Sequence, residues 1–166
     1  MDDGQRIVEL IPRLRRYARA LVRDRARADD LVQDTLERAW NKFHLWRPGS
    51  DLRAWLFTVM HNVHVNQVRA IRDHAQLDDE AAEMGVAGVQ GAALEIRDLE
   101  LALAALPVEQ REVLLLVAIE DMTYAEVART LGIPIGTVMS RLSRAREKLR
   151  AMMHGLPPGA KLQVVK

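Results

Sequence analysis

The side chains best suited to chemistry lie near the C-terminal end, where Arg141, Arg144, Arg146, Lys148 and Arg150 stand against the single acid Glu147 over residues 135–153. Their chemistry is recognition. An arginine fork bonds two acceptors on a guanine edge or bridges to a phosphate, and Ser140 and Ser143 add hydroxyls beside Arg144. Val138, Leu142, Ala145 and Leu149 recur at i, i+4, i+7 and i+11, so one helix turns these four inward and projects Ser140, Ser143 and Arg144 outward, with Arg141 and Lys148 flanking the apolar stripe. A shorter helix precedes it. Thr123 and Glu126 form a capping box, and Tyr124, Val127, Ala128 and Leu131 repeat at i, i+3, i+4 and i+7. Gly132 suits the left-handed residue past a helix end, and Pro134 the first turn of the next helix. Cap, short helix, glycine, proline and basic helix together predict a helix-turn-helix, a device that sets one helix in the DNA major groove. An ordinary amphipathic helix with a solvated basic face shares part of the pattern, but not all of its signals in this order.

Two further sets lie in the N-terminal half. Asp30, Asp34 and Glu37 share a stripe beside Gln33 on a helix expected from near Asp24 to near Lys42, whose inner positions are Val32, Leu36, Ala39 and Phe43. Such a stripe is either solvated surface or a partner's docking face. After a loop at 44–51, broken by Pro48 and Gly49, comes a helix with Leu52, Trp55, Leu56, Val59, Met60 and Val63 inside and Thr58, Asn62, Asn66 and Arg69 along a polar stripe. Amides, arginine and aromatic rings are the equipment for holding unstacked bases. The rings Trp40, Trp46, Trp55 and Phe57 read more readily as simple core. His61 and His64, three apart, lack a third ligand at a motif spacing, so no metal site is expected.

These elements belong to a chain of 166 residues, 49% hydrophobic and 28% charged, which is ordinary globular composition for one or two small domains. Aromatics are only 4%, alternating patterns are absent, and the apolar runs have helical spacing, so the expected fold is all-α. A first helix is expected from Ile7 to Val22, with Ile7, Leu10, Ile11, Leu14, Ala18 and Leu21 inward and Arg15, Arg16, Arg19 and Arg23 outward. Charge is unevenly spread. Residues 75–96 carry five acids and no base, with Gly85, Gly88 and Gly91 among small residues. That segment reads as a flexible acidic linker between an N-terminal domain, 1–74, and a C-terminal domain, 97–154, with a disordered tail over 155–166. Zero cysteine removes disulfides, thiolate zinc sites and cysteine nucleophiles, which fits a reducing cytoplasm. The longest apolar stretch, Val113 to Ile119, is far short of the roughly 20 residues a bilayer span needs, and no signal peptide is evident. No phosphate-cradling glycine loop or nucleophile elbow is present, so neither enzyme activity nor a cofactor is expected.

Over nearly its whole length the chain resembles the bacterial extracytoplasmic-function sigma factors, the smallest members of the sigma-70 family. Three segments in order carry the resemblance: Asp29-Asp30-Leu31-Val32-Gln33-Asp34-Thr35-Leu36-Glu37-Arg38-Ala39-Trp40, Leu52-Arg53-Ala54-Trp55-Leu56-Phe57-Thr58-Val59-Met60-His61-Asn62, and Leu106-Pro107-Val108-Glu109-Gln110-Arg111-Glu112-Val113 with the helix-turn-helix behind it. The resemblance implies a promoter-specificity subunit of RNA polymerase. It makes Asp30, Leu31, Gln33, Asp34 and Glu37 contacts for the clamp helices of the polymerase beta-prime subunit, with the beta flap as a second docking place. It makes Arg47 and Ser50, in the loop 45–51 that cups a flipped base, and Asn62, Asn66 and Arg69 contacts for the non-template single strand of the minus-10 element. It makes Thr137, Ser140, Arg141, Ser143, Arg144 and Lys148 contacts for duplex DNA at the minus-35 element. Met139 stands where some relatives carry arginine, so their promoter sequence does not transfer. An anti-sigma factor and a stress or envelope-response regulon are the expected regulatory setting. Two rivals share parts of the pattern: a conventional helix-turn-helix regulator that binds a palindrome without polymerase, and a sigma-like decoy that sequesters an anti-sigma factor.

Overall fold

The computed structural model describes residues 2–77 and 95–155, and the described residues contain no strand. In order they form α1 (Asp3–Leu21), α2 (Arg25–Asn41), a 3-10 turn at Phe43–Leu45, α3 (Leu52–Leu77), α4 (Glu95–Ala105), α5 (Val108–Ala118), α6 (Tyr124–Leu131) and α7 (Ile135–Met153). The chain divides into two compact units, one holding α1 to α3 and the other α4, α5, most of α6 and α7. No described helix is long and apolar enough to cross a membrane.

In the first unit α1 and α3 both pack on α2. Their core is Ile7, Leu14, Ala18 and Leu21 from α1, Ala28, Leu31, Val32 and Ala39 from α2, and Leu52, Leu56, Val59, Met60 and Val63 from α3. Full burial of a leucine or methionine contributes about 2 kcal/mol, so Leu14, Leu21, Leu31, Leu56 and Met60, each 1% exposed or less, dominate the cohesion of this unit. Tyr17 is buried too, edge-on to Phe57 at 5.1 Å. α1 begins a turn earlier than the Ile7 expected from apolar spacing, because Asp3 suits the positive end of the helix and the Asp2 carbonyl accepts from Gln5 and Arg6. Polar residues carry that start, so apolar period could not register it. α2 starts where expected, its first amides held by the Asp24 carboxylate, which accepts from Ala26 at 2.9 Å and Arg27 at 3.3 Å.

α3 runs on to Leu77 and α4 begins at Glu95, so helix enters both ends of the segment expected as a linker. Residues 78–94 and 156–166, the rest of that segment and of the expected tail, lie outside the described residues. In the second unit α4 and α5 pack on α7. α5 buries Glu112 and Val113 to Leu116 in unbroken succession. Arg111 joins α5 to α4: its guanidinium donates to the carbonyls of Leu103 at 2.7 Å, Ala104 at 2.9 Å and Leu106 at 2.7 Å, closing the C-terminal end of α4. Burial pushes the Arg111 pKa below its ordinary value, and the neighbouring Glu112 charge pulls it back up.

Candidate nucleic-acid and partner interfaces

The helix-turn-helix is built from hydrogen bonds that its sequence announces. Thr123 N–H donates to Glu126 Oε2 at 2.9 Å, and Glu126 N–H donates to Thr123 Oγ1 at 3.2 Å, which completes the reciprocal capping box at the start of α6. At its other end Gly132 adopts φ +66, and Ile133 N–H returns to the Ala128 carbonyl at 3.0 Å, the Schellman closure. Pro134 is the cap residue before α7, one place earlier than its expected seat in the first turn, and its carbonyl accepts from Thr137 at 3.0 Å and Val138 at 3.2 Å. Asp121, at φ +51, turns the chain from α5 toward α6.

On α7 the inward stripe is as spaced in the sequence: Val138, Leu142 and Ala145 are buried and Leu149 is half-buried. Ser140, Ser143 and Arg144 are exposed, while Thr137, Arg141 and Lys148 are partly exposed along its flanks. All six expected contacts therefore reach the surface of one helix. Among the described residues no hydrogen bond or ion pair engages the guanidinium groups of Arg141 and Arg144, which leaves both forks open to a ligand. Tyr124 of α6 faces Met139, Leu142, Ser143, Arg146, Glu147 and Arg150 across an open groove.

The first unit presents its polar residues on two helices. Asp30, Gln33, Asp34 and Glu37 are exposed on α2. Leu31 does not share that surface: it is 0% exposed and belongs to the core beneath it. Trp40 departs from the core reading in the opposite direction, at 69% exposure. It lies three residues beyond Glu37 and seven beyond Gln33, hence on their face of α2, and that spacing is the signal by which it could have been found. Trp46 and Phe57 are core and Trp55 is half-buried.

Across a groove from α2, α3 contributes Asn66 and Gln67, with Asp34, Glu37, Arg38, Asn41 and Lys42 on the α2 side. Gln67 Nε2 donates to Asp34 Oδ2 at 2.7 Å. Sequence reading missed Gln67, which sits beside the polar stripe rather than on it. Asn62, Asn66 and Arg69 are exposed on α3, but Thr58 turns its hydroxyl back to the Ala54 carbonyl at 3.0 Å and leaves the stripe to the other three.

The loop before α3 is shaped by its own contacts. Ser50 donates to the Arg47 carbonyl through its hydroxyl at 2.6 Å and its N–H at 3.1 Å, Gly49 takes φ +89, and Asp51 Oδ1 accepts from Ala54 N–H at 3.2 Å to cap α3. Trp46 anchors the loop, stacked on Phe43 at 5.4 Å with the Arg6 guanidinium 5.4 Å from its ring centre. Arg47 and Ser50 are exposed. A helix rises about 1.5 Å per residue, so roughly 15 Å of α3 separates the loop end from Asn62. The expected single-strand contacts thus line a path and not one pocket. His64 is buried and His61 partly so, and among the described residues no three His, Asp or Glu side chains gather as metal ligands.

Two family descriptions match separate stretches of the chain. Residues 7–61 match the family described as the Sigma2 domain of PhyR, and residues 96–149 match Sigma-70, region 4. The ECF RNA polymerase sigma factor EcfG of Rhodopseudomonas palustris (strain TIE-1) is 38% identical over 150 residues, spanning 89% of this chain and 83% of that protein. Among solved structures, the sigma factor RpoE, in complex with the anti-sigma factor NepR from Bartonella quintana, superposes with a TM-score of 0.80 at 35% identity, covering 91% of this chain and 96% of that one. The anti-anti-sigma factor PhyR from Bartonella quintana shares the fold, with a TM-score of 0.61 at 16% identity, over 89% of this chain and 49% of that one. By two sigma domains in order, and by identity sustained along both, this chain belongs to the ECF RNA polymerase sigma factors of the sigma-70 family.

Proposed function

We propose that this sigma factor divides its task between its two units, residues 1–74 docking on core RNA polymerase and holding the minus-10 element, and residues 97–154 holding the minus-35 element. The observation that carries the reading is the helix-turn-helix: a basic α7 with unpaired arginine forks, set at a fixed turn by the Thr123–Glu126 box and Gly132. In the first unit the exposed residues Asp30, Gln33, Asp34 and Glu37 meet the clamp helices of the beta-prime subunit. Leu31 supports that face from beneath. Arg47, Ser50, Asn62, Asn66 and Arg69 meet the unstacked non-template strand, where amides bond base edges and the arginines follow phosphates. The beta flap takes the second unit. Catalysis stays with the polymerase, and the protein works in the cytoplasm where its polymerase is.

An anti-sigma factor restrains it by covering the same faces, as suits a stress or envelope-response regulon. RpoE of Bartonella quintana, similar in fold and sequence, was solved with such a partner, NepR. A decoy that sequesters an anti-sigma factor is the competing reading, because the N-terminal match is to the sigma-like domain of PhyR. Identity favours the sigma factor: 35% to RpoE against 16% to PhyR. Runoff transcription with purified core enzyme on a genomic library tests the proposal. Discrete transcripts dependent on this chain are expected, and a chain that binds NepR-like partners but starts no transcript belongs to the decoy class.

A further inference from the structure

Met139 is 52% exposed near the start of α7, with exposed Ser140 and Ser143 beside it, on the helix with the largest excess of basic side chains. On a helix, residues three and four apart are neighbours, so Met139, Ser143, Arg146 and Arg150 form one row along the open groove that Tyr124 borders. The methionine is the one apolar member of that row. A thioether gains nothing from a phosphate and cannot supply the donors that guanine or adenine acceptors demand. Among the groups that base pairs display in the major groove, one is apolar, the C5-methyl of thymine. Ile135, 49% exposed, stands one turn nearer the helix start, but its short, β-branched chain lacks reach. Methionine is unbranched and polarisable, and adapts to a methyl of uncertain height.

We propose that Met139 reads a thymine in the upstream promoter element by packing the end of its side chain against the C5-methyl, while Ser140, Arg141, Ser143 and Arg144 hold flanking bases and phosphates. This rests on the reading of α7 as the minus-35 helix and adds a base identity to it. Because the contact is apolar, it discriminates without contributing to the charge-driven part of binding. An arginine at the same place offers a fork to guanine O6 and N7 instead, so residue 139 sets which base the element carries at that position.

The test uses core polymerase reconstituted with the full chain, which first selects duplexes from a library randomised over the promoter region. Each thymine in the recovered upstream element is then replaced by deoxyuridine, which lacks only the methyl. At one position the replacement weakens binding about fourfold, the value of one buried methyl. That difference vanishes in Met139→Ala, and selection with Met139→Arg recovers guanine at the position. Since residue 139 is exposed, both variants melt with the parent protein, a control read by circular dichroism. If no deoxyuridine replacement weakens binding, or if Met139→Ala still distinguishes thymine from deoxyuridine, the inference is overturned while the minus-35 reading stands. Recovery of no upstream element at all overturns that reading and the inference with it.

Discussion

At the scale of single residues, two arginines separate the proposed recognition surface from the architecture. Arg144 is exposed on α7 with no partner among the described residues, so its removal costs the fold little. Arg144→Ala is expected to weaken upstream-element binding by about 1 to 3 kcal/mol and to relax preference at one base pair if the fork reads a guanine. Footprinting on promoters altered base by base checks this, and an unchanged affinity removes Arg144 from the site. Arg111 is the opposite case. It holds three carbonyls at the end of α4, all at 2.9 Å or less. Hydrogen bonds to a charged group contribute more than neutral ones, and their loss leaves carbonyls unsatisfied. Arg111→Met is therefore expected to destabilise the second unit by about 2 to 3 kcal/mol in urea unfolding. The lowered Arg111 pKa gives no pH dependence near neutrality: a base with a depressed folded pKa gains stability as pH rises from that folded value to the ordinary one, a window that for an arginine lies in the alkaline range.

At the scale of elements, the turn between α6 and α7 depends on a cap and a backbone conformation. Thr123→Ala removes the hydroxyl that meets Glu126 N–H and is expected to cost about 1 kcal/mol. Gly132→Ala is expected to cost about 1 to 2 kcal/mol, from the left-handed backbone alone. A Cβ there meets nothing within 4 Å, so crowding plays no part. Urea melts of the two variants check both values, and a neutral Gly132→Ala would mean that the turn is not held as described. This motif was legible in the sequence because its signals are local: a hydroxyl and a carboxylate three apart, a glycine and a proline. The inward stripes of α1, α3 and α7 were legible for the same reason, being periodic. What escaped was non-local or polar. Gln67 meets Asp34 from another helix 33 residues on, the Arg111 fork reaches back to α4, and Trp40 lies on a polar face where its size alone suggested core.

At the scale of the whole molecule, the proposed division gives one chain two surfaces that serve the same promoter. Each contact raises the effective concentration of the other, so modest affinities at two elements combine when spacing is right. On that division the face of α2 proposed to meet the polymerase governs whether either promoter contact forms. Glu37 is exposed and its reversal to lysine places like charge opposite whatever basic face the partner presents, at little cost to folding. Glu37→Lys is expected to weaken association with core polymerase by about tenfold, or ~1.4 kcal/mol, while leaving binding of duplex DNA by α7 unaltered. Fluorescence anisotropy with labelled protein and core enzyme measures the first, and an equal loss of duplex binding would point to misfolding instead.

The central claim is that neither unit suffices for promoter choice without the larger enzyme. The most direct measurement is a gel shift on a promoter recovered by transcription, with this chain alone, with core polymerase alone, and with both. The account predicts a tight, sequence-specific complex only when both are present. Tight and specific binding by the chain alone, or failure of the chain to associate with core polymerase, would contradict it.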